Sequence, residues 1–105
     1  MSEEAQRLRK AAAEVLAARD QVRNANQEFL RYAQDRVMAG ERTWQGDSAD
    51  RFWQRTGDRS VRLRRGADQL DALARKMENR AKQLEIDEER ARQRAAAAQQ
   101  RSPRR

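Results

Sequence analysis

The chain has no cysteine and no histidine among its 105 residues, and only one proline and four glycines. Without cysteine there is neither a disulfide frame nor a thiolate metal site. Without histidine the usual general base and zinc ligand are missing, which leaves carboxylate, Lys, Tyr and Ser chemistry. Paired acids such as Glu88 and Glu89 are neighbours that point to different helix faces and so make a poor shared site. The protein is therefore expected not to be an enzyme and to need no metal or cofactor. No apolar run approaches the roughly 20 residues of a membrane span, and the acidic start Met1-Ser2-Glu3-Glu4 lacks the apolar stretch of a signal peptide. With 37% hydrophobic against 39% charged residues, a thick globular core is excluded as well.

What is present is charge, unevenly placed. Six of the seven net positive charges fall on residues 90–105, where Arg90, Arg92, Arg94, Arg101, Arg104 and Arg105 stand without an acid. The rest of the chain is nearly neutral. Such an end reads as a solvated, frayed tail. Nucleic acid is accordingly not the expected partner, although nucleic-acid or anionic-membrane binding through this Arg-rich end is the alternative function. A second basic cluster, Arg59, Arg62, Arg64 and Arg65, lies beside Asp58, Asp68 and Asp71 and reads as a salt-bridged surface.

Two apolar periodicities organise the remainder. In the first, Leu8, Val15, Val22 and Phe29 recur every seven residues, followed at three positions by Ala11, Ala18, Ala25 and Tyr32. These are the a and d places of a heptad, with Tyr32 expected in the core. Leu16, Leu30 and Val37 form a sparser line one step round the helix. In the second, Thr56, Leu63, Leu70, Met77, Leu84 and Ala91 keep the same interval. Phe52 and Trp53 open it, Ala67, Ala74 and Ala81 flank it, and Leu73 widens it.

Between them, Gly40 suits a helix C-cap, Gly46 a turn, and Asp47 and Ser48 a helix start. The pattern predicts an all-α, antiparallel helical hairpin forming one domain over 1–98. Helix one covers about 3–39, the turn 40–47 and helix two about 48–96, with 99–105 a disordered basic tail. The hairpin seam, or the seam with a partner, is expected along Leu8, Val15, Val22, Phe29, Phe52, Leu63, Leu70, Met77 and Leu84. Two slim amphipathic helices cover little apolar surface alone, so a partner chain is expected.

Trp44-Gln45-Gly46 in the turn, set between two heptad helices in a cysteine-free chain of this size, resembles the WXG family of type VII secretion proteins, also called Esx-like or early-secreted-antigen-like. The resemblance covers nearly the whole chain. It implies hairpins that dimerise into a four-helix bundle, as a homodimer or as a heterodimer with a related small helical protein. It further implies a non-enzymatic secreted substrate, or a secretion-associated adaptor, exported without a signal peptide from a cytoplasmic pool. A secretion ATPase or a larger toxin would be the further partners. Trp44 and Gly46 then belong to the recognition turn, although Trp44 capping the bundle against Phe52 or Trp53 explains the indole equally well. The family's Tyr-x-x-x-Asp/Glu export element is absent, since the sole tyrosine is Tyr32. A looser version is available in Leu84, Glu88, Ala91 and Ala95. Either a partner supplies the signal or this chain is not itself the one recognised.

Overall fold

A computed structural model of the chain describes residues 2–40 and 46–101, with the side chains of 37–40 left aside. Two helices account for these residues, α1 (Glu3–Gly40) and α2 (Asp47–Arg101), and no strand occurs among them. Ser2 starts α1: its hydroxyl accepts a hydrogen bond from the Ala5 amide at 3.2 Å, and its carbonyl accepts from the Gln6 amide at 3.1 Å. Glu3 and Glu4 in the first turn lie favourably against the positive helix end. At the start of α2 the cap is Gly46, whose carbonyl accepts from the Asp50 amide at 3.1 Å and whose φ is 85°. That left-handed backbone suits glycine, and it puts Asp47 and Ser48 inside the first turn. Trp44 and Gln45 lie outside the described residues.

The helices run antiparallel, as the contacts between them require. Arg9 near the start of α1 pairs with Glu85 late in α2, Arg19 pairs with Asp71, and the Arg59 guanidinium sits 4.8 Å from the Phe29 ring centre. The result is a rod, 95 by 17 by 12 Å between Cα atoms. At 1.5 Å per residue, α1 is about 57 Å long and α2 about 82 Å, so α2 continues past the start of α1. Its last turns include Gln99, Gln100 and Arg101, beyond the end near 96 that the fading periodicity predicts. Helix propensity explains the extension, because Ala95 to Ala98 favour helix whether or not anything packs on them.

The innermost line is made of small residues. Ala5, Ala12, Asn26 and Ala33 are buried on α1, spaced by seven or twice seven, with half-buried Arg19 in the vacant step. On α2, Ser60, Ala67, Ala74 and Ala81 repeat the same interval, and Thr56 is buried one turn earlier. No large side chain is fully covered among the described residues. In a pair of helices only the line of closest approach loses all its solvent, and Ala, Ser and Asn there let the backbones draw together. Leu8, Val15, Val22 and Phe29 therefore lie beside the seam, half-buried. Tyr32, expected in the core, is instead 59% exposed, with its hydroxyl accepting from Arg36 at 2.9 Å. Its place three residues after Phe29 carries it too far round the helix to reach α2.

Candidate interaction surface

The small-residue line divides the hairpin into two flanks of different chemistry. Three residues after each innermost position stand Leu8, Val15, Val22 and Phe29 on α1, and Leu63, Leu70, Met77 and Leu84 on α2. Four residues after come Arg9, Leu16, Arg23 and Leu30 on α1, and Arg64, Asp71, Glu78 and Glu85 on α2. Antiparallel pairing turns one helix over, so the two three-after lines share one flank and the two four-after lines share the other. Contacts agree with this division. Val22 joins Leu63, Gly66, Leu70 and Leu73, with Arg62 and Gln69, around one open, mainly apolar groove of about 500 Å³. Arg9 and Glu85 meet on the opposite side.

The apolar flank holds eight of the nine seam residues read from the sequence, all of them half-buried: Leu8, Val15, Val22, Phe29, Leu63, Leu70, Met77 and Leu84. Phe52, the ninth, is half-buried near the start of α2, where its ring meets Trp53 edge-on at 5.7 Å and 71°. Leu73 is 46% exposed and Gly66 leaves open space above its Cα, so the groove has a low floor between raised apolar walls.

On the ionic flank, Arg19 spans from the seam to Asp71 and also reaches Asp20 at 2.9 Å, while Arg75 approaches the other Asp71 oxygen at 2.9 Å. The hydrogen bond from Arg19 holds the Asp71 carboxyl below its ordinary value, and the Asp71 and Asp20 carboxylates raise the Arg19 guanidinium. Next along, Asn26 is 7% exposed and its Oδ1 has no donor. It lines a cleft of about 290 Å³ with Arg23, Gln27, Arg64, Ala67 and Asp68, and Leu63 reaches this cleft as well as the apolar groove.

Of the residues that the resemblance singles out, Trp44 lies outside the described residues and Gly46 is exposed at the start of α2. Leu84 and Glu88 are half-buried near the level where α1 begins, whereas Ala91 and Ala95 are exposed on the part of α2 that runs on alone. The four follow one helix without converging on a pocket. The sequence reading missed the line Ala5, Ala12, Asn26, Ala33 and its counterpart at Ser60. Its signal was the shared interval of seven among small residues, which carry little hydrophobic weight. Among the described residues, no helix is long and apolar enough to cross a membrane, and no three acidic side chains gather as a metal site.

Comparison with family models, curated proteins and solved structures finds no match.

Proposed function

We propose that this protein works by docking helix against helix, as a non-enzymatic substrate or adaptor of a type VII secretion system in the manner of the WXG family. The apolar flank receives a second hairpin, either another copy or a related small helical chain, to complete a four-helix bundle. One observation carries the reading: the hairpin spends its small residues on its own seam and leaves its Leu, Val and Met side chains half-covered along one side. The exposed area supports it. The chain presents 8983 Å², whereas a compact monomer of 12.3 kDa exposes about 6,100 Å². The excess of roughly 2,900 Å² per chain is that of a thin rod with side-chain surface left for a partner to cover.

Light scattering across micromolar concentrations tests the pairing. A dimer of twice 12.3 kDa is expected, or a one-to-one complex with a co-expressed related chain. A monomer that melts cooperatively at low micromolar concentration sinks the reading. The secretion role is tested separately by Trp44→Arg, which is expected to retain protein in the cell. Unchanged export would remove the turn from the mechanism.

A further inference from the structure

The arginines at the end of α2 are not spread over a frayed tail: helix persists through Arg101. α1 begins at Glu3, and Arg9 already lies against Glu85, so the last ten or so residues of α2 have no α1 beside them. Arg90, at the level where α1 begins, and Arg94 and Arg101, on the single helix beyond it, stand at intervals of four and seven. At 100° per residue the three fall within about 40° of one another and span about 16 Å along the axis. All three are exposed, no ion pair joins them to another described residue, and no acid follows Glu89. Arg92, on another face, is the arginine engaged by Glu88 and Glu89, at 3.6 and 3.8 Å.

We infer that this free end of α2 is a docking helix for duplex DNA, lying in the major groove with Arg90, Arg94 and Arg101 on the phosphates. A lone helix, about 10 to 12 Å across with its side chains, matches a groove about 12 Å wide, which the paired helices of the body do not. Arginine suits phosphate because its planar fork donates two parallel hydrogen bonds and keeps its charge. Two other polyanionic surfaces fit less well. From Arg90 onward the only apolar residues are alanines, which offer little to insert beneath lipid headgroups. Without an aromatic there, single-stranded bases find nothing to stack on. The inference does not depend on pairing between hairpins, nor on secretion.

The test measures fluorescence anisotropy of a labelled 20-base-pair duplex of mixed sequence with the full-length protein. Three phosphate contacts imply a loss of roughly 40-fold in affinity between 50 and 200 mM salt. The variant R90Q/R94Q/R101Q, whose glutamines keep the helix, is expected to bind at least about tenfold more weakly at 50 mM salt. The variant R51Q/R55Q/R65Q removes the same charge from the body and is expected to bind as the parent does, with circular dichroism reporting helix in both. Any of these results overturns the inference: no duplex binding by the parent at 50 mM salt, equal losses in the two variants, or binding to phosphatidylserine vesicles in place of the duplex. A parent salt slope near zero overturns it without reference to any variant.

Discussion

The two flanks of the hairpin are built from the same two helices and differ only in which neighbour of the innermost line they use. Three residues on, that neighbour is Leu, Val, Phe or Met; four residues on, it is mostly Arg, Asp or Glu. The ionic flank closes on itself through Arg9 with Glu85 and Arg19 with Asp71. The apolar flank is only partly closed within the chain, by the Arg59 guanidinium over Phe29 and by half-burial of its side chains. A pair of helices can thus separate the task of staying folded in register from the task of meeting another molecule, and can put them on opposite sides.

The comparison breaks most sharply if both flanks prove equally tolerant of charge. Leu70→Asp places a carboxylate in the apolar groove and is expected to weaken hairpin association by more than tenfold, to about a hundredfold, in sedimentation equilibrium. Glu78→Gln on the other flank is expected to leave association within about twofold. Next in size is the seam itself. Ala74→Leu forces the backbones apart and is expected to cost about 2 to 3 kcal/mol in a urea melt. An unchanged midpoint would mean that the helices are not in close contact there.

Smaller effects test the backbone at two glycines. Gly46→Ala imposes a left-handed conformation on a residue with a Cβ and is expected to cost about 1 kcal/mol, purely from the backbone, since nothing lies near the new methyl group. Gly57→Ala has open space in a helix and is expected to stabilise the chain by a similar amount of about 1 kcal/mol. Thermal melts should show opposite signs. The smallest effect sharpens the ionic flank. The folded Asp71 carboxyl lies below its ordinary value because of Arg19, so its stabilising contribution is present above the unfolded value and fades as pH falls through the lower, folded one. Asp71→Asn is expected to lower the melting midpoint slightly at neutral pH, with the gap from the parent closing below about pH 4. A gap that persists at pH 2 would assign the loss to packing.

Two long helices folded as a hairpin were legible in the sequence, because apolar lines at intervals of seven run on either side of the stretch from Gly40 to Gly46, of which residues 41–45 lie outside the described residues. Less legible was which line lies innermost. Leu8 and Val15 outweigh Ala5 and Ala12 on any hydrophobic scale, yet closest approach is governed by size, and Ala wins on size. Tyr32 went astray for the same reason: a seam assumed at Phe29 makes a core site of a position that solvent reaches once the seam moves to Asn26 and Ala33. The free end of α2 was hidden because its apolar period fades before its helix propensity does. Of the candidate turn, Gly46 is placed by its backbone, while Trp44 falls outside the described residues.

Small side chains set the spacing of the two helices, and this leaves the bulky residues beside the seam with part of their surface exposed. Exchanges among them then cost less in folding than exchanges on the innermost line, because part of each side chain is already exposed. One scaffold of this kind can diverge into many mutually selective pairs by exchanging leucine for valine or methionine along its outer wall, as a key blank accepts different cuts.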